Sequence, residues 1–248
     1  MKFSSTADIW LSGILGRPCF NVRHVSGDLS ADQLVAGYAK PGIFAAAKVP
    51  AIETAASLEL QKAGFRHIEM ALTLDWLHPA VDFELSRVRF SVASDVGSVA
   101  AIAESAFRYS RFHMDAAIPN TLADKVKRAW AENYFSGKRG DAMIVAEADG
   151  QVAGFLQLLR GQNGAVVIDL VAVHPSAARR GLAREMIGLA ATQGIGDGAP
   201  ERLSVGTQAC NVASVDLYES MGFRLAGAQH VLHFHGPMPS ESRAGRAL

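Results

Sequence analysis

Apolar positions along the chain switch repeatedly between the short runs of strands and the three-to-four spacing of helices. Over the C-terminal part the reading is direct. The run 88–93 predicts a short strand, Ser94-Asp95 offers an N-cap pair, and the Ala-rich stretch 99–107 predicts a helix. Leu122, Val126, Ala129, Trp130 and Tyr134 share one face of a helix over 122–135. Apolar runs at 142–148 and 152–159 meet at Asp149-Gly150, a dipeptide suited to a hairpin turn. A nearly continuous apolar strand over 165–173, interrupted by Asp169, leads through a basic loop into a helix over 182–192. A strand over 202–207, a helix over 213–220 and a strand region over 223–234 follow. After Gly236 the tail 237–248 is polar and is expected to be disordered.

The first 85 residues carry weaker signals: a strand at 44–49, a helix at 52–62 and a strand at 67–74. One detail changes their reading. Leu60-Gln61-Lys62-Ala63-Gly64-Phe65-Arg66 has the layout of Tyr218-Glu219-Ser220-Met221-Gly222-Phe223-Arg224: helix, Gly, Phe, Arg, strand. Such punctuation is common enough to arise by chance. The nearly equal offsets of the upstream strands favour an internal structural repeat, a half-copy of the back end of the C-terminal region. The expected division is therefore 1–85, 86–236 and the tail.

Composition narrows the classes. A length of 248 residues gives a prior between one and two domains, and an apolar fraction of 49 % supports a sizeable core. With 24 basic and 24 acidic side chains there is no cationic field for a nucleic-acid backbone, though a local basic pocket for one anion remains open. Cys19 and Cys210 alone make neither a disulfide framework nor a zinc site. No 18 apolar residues run together, and the N-terminus reads poorly as a signal peptide, so the expectation is a soluble cytoplasmic protein with no membrane partner. His230, His233 and His235 lie on the last strand region, where exposed edge-strand histidines are expected and no metal site.

The stretch 168–183 carries the chemistry. An apolar strand ends at Pro175, and after a short turn Gly181 opens a helix beside Arg179 and Arg180. The first helical N–H groups have no partners within a helix, and the helix dipole adds positive charge there. A glycine lets an anion approach the backbone, so the stretch reads as a pyrophosphate cradle. The plainer alternative is an ordinary strand-to-helix loop with solvated arginines.

On these residues the chain resembles the GNAT superfamily of acetyl-CoA-dependent N-acetyltransferases. Val173-His174-Pro175, Gly181 and Ala183 stand at the family's spacing, while Ala178 replaces the usual Gln or Arg. Asn211, Tyr218 and Gly222-Phe223 match a second family segment. The resemblance implies an α/β (α+β) GNAT fold: a mixed, mostly antiparallel twisted sheet flanked by helices. It implies acetyl-CoA as donor and CoA as product, held by Val171, Ala172, Val173, Ala178, Arg179, Arg180, Gly181, Leu182 and Ala183. Asn211 would contact the pantetheine arm and Tyr218 would lie near the CoA sulfur as general acid. The other reading of Tyr218 is a helix tyrosine packed beneath the sheet. Asp169, His174 or a chain of water would take the amine's proton. Arg111, His113 and Asp169 are the candidate acceptor-binding residues.

Within the superfamily the chain is similar to acetyltransferases of dTDP-linked 4-amino sugars. The segment 60–65, Ala106-Phe107 with Ser110-Arg111-Phe112, Trp130, and Val205-Gly206-Thr207-Gln208 before Asn211 carry that similarity. It implies a small-molecule amine acceptor, a nucleotide sugar, with a protein N-terminus, amino acid or polyamine, or a degenerate acyl-CoA-binding module, as alternatives. GNAT relatives are often homodimers. Leu60 stands where Tyr218 would be in the half-copy, so the N-terminal, truncated GNAT-like region is expected to be non-catalytic.

Overall fold

The computed structural model describes residues 2–24, 29–38, 42–82 and 84–237. The tail beyond Pro237, expected to be disordered, lies outside the described residues. The chain forms two compact units, one comprising residues up to Glu69 and from Gln229 onward, the other Met70–Ala228.

In the first unit β1 (Phe3–Ala7), α1 (Ile9–Leu15) and β2 (Cys19–His24) precede α2 (Ala31–Ala36), β3 (Phe44–Pro50), α3 (Thr54–Lys62) and the start of β4 (Arg66–Leu77). β1 pairs antiparallel with β2, and β2 pairs parallel with β3 across the α2 connection. Phe3, Leu34, Ile43, Val49, Leu60 and Phe65 fill its core. Burying such side chains contributes roughly 1.5–3 kcal/mol each. Ser30 caps α2 reciprocally with Gln33, so the first turn of that helix is satisfied by its own side chains.

In the second unit β5 (Val88–Phe90), α4 (Val96–Ala106) and α5 (Asn120–Phe135) precede the hairpin of β6 (Ala142–Ala148) and β7 (Gln151–Arg160). Asp149 and Gly150 both take positive φ, 54° and 75°, as a two-residue turn of this twist requires. Then come β8 (Ala165–Val173), α6 (Leu182–Gln193), β9 (Arg202–Gln208), α7 (Val212–Met221) and β10 (Arg224–His235). Strand order is β4-β9-β8-β7-β6-β5, antiparallel except for the parallel β8–β9 pair. Side chains of β6 alternate: Met143 and Val145 pack with α4 and α5, while Ile144 and Ala146 pack with α6 and α7. A mixed sheet, mostly antiparallel and flanked by helices, is the architecture expected.

The repeat has a backbone counterpart. Gly64 and Gly222 adopt φ of 102° and 109°. Phe65 N–H donates to Leu60 O and Phe223 N–H to Tyr218 O, both at 3.0 Å. The same αL closure thus ends α3 and α7. The unit boundaries differ from a cut at residue 85, and strand pairing is the reason. β4 follows α3 yet pairs from Ala71 with β9, whereas β10 follows α7 yet pairs from Gln229 with β3. The first unit therefore takes a ladder strand, β10, from the other end of the chain, while the second begins within β4.

Candidate active site

The parallel ladder of β8 and β9 runs from Ala165↔Arg202 to Ile168↔Val205 and stops, although both strands continue. Asp169 is the extra residue of a bulge, because Leu158 pairs with Ile168 while Gln157 pairs with Leu170. The bulge reverses which face the strand presents. Val166 and Ile168 pack on the α6/α7 side, but Leu170 and Ala172 pack on the α4/α5 side. His174 N–H donates to Ala153 O at 2.7 Å. By alternation along a strand, Ala172 N–H also faces β7, and the N–H groups of Val171 and Val173 face the side that β9 has left.

After β8 the turn Pro175–Ala177 is closed by His174, whose Nδ1 accepts from Ser176 N–H at 3.3 Å. Ala178 is extended, Arg179 is left-handed at φ 63°, and Gly181 caps α6 at φ 83°. A side chain at position 181 would meet little, Arg87 Nη2 at 3.5 Å, so the backbone conformation is what asks for glycine. No side chain caps α6, and its first intrahelical bond is Glu185 N–H to Gly181 O at 3.1 Å. The N–H groups of Leu182 and Ala183 therefore lack helical acceptors and face outward from the turn.

The arginines divide differently from the sequence expectation. Arg180 is bound to Asp149, with Nη1–Oδ2 at 2.7 Å and Nη2–Oδ1 at 3.2 Å, so its charge is engaged by the hairpin turn. Arg179 is exposed and makes no ion pair among the described residues. Arg87, which no motif singles out, clamps the loop: its Nη2 donates to Arg180 O at 2.9 Å and its Nε to Glu185 Oε1 at 2.8 Å. Glu185, buried in the first turn of α6, also accepts from Arg87 N–H at 3.1 Å.

Asn211 opens α7 with no side-chain cap hydrogen bond. Seven residues on, two turns of helix, Tyr218 is buried in the α6/α7 core with its ring 5.5 Å from Phe223. Burial pushes its pKa well above the usual phenol value, and its hydroxyl makes no hydrogen bond among the described residues. Arg184 Nη2 to Ser220 Oγ, at 2.6 Å, ties α6 to α7.

The acceptor candidates are placed unevenly. The Asp169 carboxylate is saturated: Arg139 donates twice at 2.7 and 2.6 Å, Trp130 Nε1 at 2.8 Å and Gln157 Nε2 at 3.1 Å. It fastens α5 and the 136–141 loop to β8. His174 Nδ1 holds the turn after β8 through Ser176. Arg111 lies over the Phe112 ring at 4.6 Å. His113 lines a cavity of about 310 Å3 together with Arg108, Asn120 and Asp124. The histidines of β10 are not an exposed edge set: His233 is fully buried, its ring 4.8 Å from Phe44, and His230 Nδ1 lies 3.3 Å from His67 Nε2. Among the described residues no helix is long and apolar enough to cross a membrane.

Comparison with known proteins agrees with this geometry. Residues 100–223, half of the chain, match the acetyltransferase (GNAT) family. The spore coat polysaccharide biosynthesis protein SpsD of Bacillus subtilis is 28 % identical over 144 residues, 56 % of this chain. The chain spans about half the length of that relative, 47 %. Among solved structures, a GCN5-related N-acetyltransferase from Sphaerobacter thermophilus superimposes with a TM-score of 0.61 at 13 % identity, covering 95 % of this chain and 79 % of the other. A putative GNAT acetyltransferase from Novosphingobium aromaticivorans gives 0.51 at 18 % identity, with 88 % and 84 % covered. The open end of β8, the uncapped start of α6 and the match over residues 100–223 converge on one statement: this chain belongs to the GNAT family of acetyltransferases, whose enzymes use acetyl-CoA as the acetyl donor.

Proposed function

We propose that this protein transfers the acetyl group of acetyl-CoA to the primary amine of a nucleotide-linked amino sugar. The observation that carries the transfer chemistry is the unpaired end of β8 followed directly by a helix with no side-chain cap. The relative named for spore coat polysaccharide biosynthesis supports a sugar acceptor. Acetyl-CoA supplies a thioester that an amine can attack. Backbone N–H groups of Val171 and Val173 hold the pantetheine amides and polarise the thioester carbonyl, a fixed-dipole effect that needs no reorganisation during reaction. N–H groups of Leu182 and Ala183 take the pyrophosphate within the loop formed by Ala178, Arg179, Arg180 and Gly181, with Arg179 adding charge. The Asn211 amide faces the pantetheine arm. Tyr218, kept protonated by burial, donates its proton to the departing thiolate. With Asp169 saturated and His174 holding its turn, water carries the amine's proton away.

The first unit is the non-catalytic partner in this reading. Its parallel ladder runs from Cys19↔Phe44 to Arg23↔Lys48, nearly the whole of β2, so among the described residues it leaves no comparable opening. The start of α2 is closed by the Ser30–Gln33 box, and Leu60 has no proton to give.

The test is thiol release from acetyl-CoA against nucleotide 4-amino sugars, polyamines, amino acids and peptides. Turnover concentrated on the nucleotide amino sugars is expected. Preferential turnover of a polyamine or peptide would overturn the acceptor, and tight CoA binding without acetylation of any amine would overturn the enzyme reading.

A further inference from the structure

The connection between α4 and α5 holds a constellation that the transfer chemistry does not use. The His113 side chain is only 4 % exposed; its Nδ1 lies 2.6 Å from Ser110 Oγ and its Nε2 2.9 Å from Asp124 Oδ1. With both ring nitrogens engaged, the imidazole fixes the Asp124 carboxylate and leaves that carboxylate, 28 % exposed, to the cavity. Arg87, Arg89, Arg128, Arg139 and Arg180 each hold a carboxylate. Arg108 does not. It donates to Phe107 O at 2.8 Å and makes no ion pair among the described residues. Asn120, the first residue of α5, is exposed and lines the same cavity.

The inventory is thus a guanidinium with no carboxylate partner, an amide that both donates and accepts, and an oriented carboxylate that only accepts. A ring bearing hydroxyls satisfies the last two, and an adjacent phosphoryl group satisfies the guanidinium fork. At about 310 Å3 the cavity, open on one side, has room for one ring with its anionic substituent. The helix that carries Asp124 also carries Trp130, six residues on, which hydrogen-bonds Asp169 of β8.

We propose that this cavity binds the glycosyl phosphate portion of the acceptor, with Arg108 paired to the phosphoryl oxygens and Asn120 and Asp124 bonded to ring hydroxyls. The proposal rests on the sugar reading above and names the residues that select the acceptor. It is tested on the full chain by calorimetric titration with glucosamine 1-phosphate and with glucosamine, for the parent, Arg108→Gln and Asp124→Asn. A charge-assisted contact contributes about 1.5–3 kcal/mol, more than tenfold in affinity. The parent should therefore prefer the phosphate ester at least tenfold, Arg108→Gln should erase that preference, and Asp124→Asn should weaken both ligands. Acetyl-CoA titration of each variant reports on folding and should be unchanged. Equal preference in parent and Arg108→Gln, or no binding of either sugar by a parent that binds acetyl-CoA, would overturn the subsite. Arg108-dependent binding with no acetylation of any nucleotide amino sugar would leave the subsite standing and remove the acceptor reading. Acetylation with a KM indifferent to Arg108→Gln would do the reverse.

Discussion

Tyr218 shows how far spacing alone can carry a residue. Its distance from Asn211 and Gly222 is written in the sequence, and the structure buries it with a hydroxyl bonded to nothing among the described residues. General acid catalysis contributes roughly 10²-fold or more. Tyr218→Phe should lower kcat by that factor and leave the thermal midpoint within about 2 °C, because it removes no hydrogen bond. Turnover and scanning calorimetry check both; a loss within about twofold would remove Tyr218 as the acid. Asp169 shows the opposite limit. Its partners Trp130, Arg139 and Gln157 come from three different segments, so no local pattern could reveal that the carboxylate is saturated. The burial of His233 is hidden from the sequence for a related reason: it depends on which strand lies beside it, and the pairing of β10 with β3 is non-local.

Elements with strong burial on both faces were legible, and short or polar ones were not. β8 follows its apolar run closely, because it is packed from both sides, by Val166 and Ile168 on one face and Leu170 and Ala172 on the other. β1, α1, β2 and α2, of five to seven residues each, left no periodic signal long enough to read. The start of α4 was half right. Asp95 does lie at the helix N-cap, but its carboxylate accepts from Arg89 at 2.8 and 3.0 Å and from Val92 N–H at 2.8 Å, not from the helix. Those contacts, the Arg89 guanidinium first, hold the Asp95 carboxyl below the usual carboxylate range. A depressed folded pKa adds stability that is present above the unfolded value of about 3.9 and is lost as pH falls through the folded one. Asp95→Asn should therefore be less stable than the parent at pH 7, with the gap shrinking steadily below about pH 4. Urea midpoints at pH 7 and pH 3 check this; an equal gap at both would show that the carboxylate contributes nothing through its charge.

At the scale of the molecule, the shared closure of α3 and α7 was visible in seven residues around Gly64 and Gly222, but the partition of the chain was not. Helix, glycine, phenylalanine and strand are local features that a sequence displays. The pairing of β4 with β9 and of β10 with β3 is decided by tertiary packing, and it makes one unit discontinuous in sequence. The two units nonetheless differ at their parallel ladders and at the helices that follow. One keeps its parallel strands paired and its crossover helix capped, and the other leaves both open. The most direct measurement is a calorimetric titration of the full chain with acetyl-CoA, repeated on Gly181→Val. A side chain forced to φ 83° carries strain on the order of 1–3 kcal/mol and sets methyl groups where the pyrophosphate approaches the α6 N–H groups. One site per chain is expected in the parent, and its loss in a Gly181→Val protein that remains folded by circular dichroism. Two sites per chain, or binding indifferent to the substitution, would contradict it.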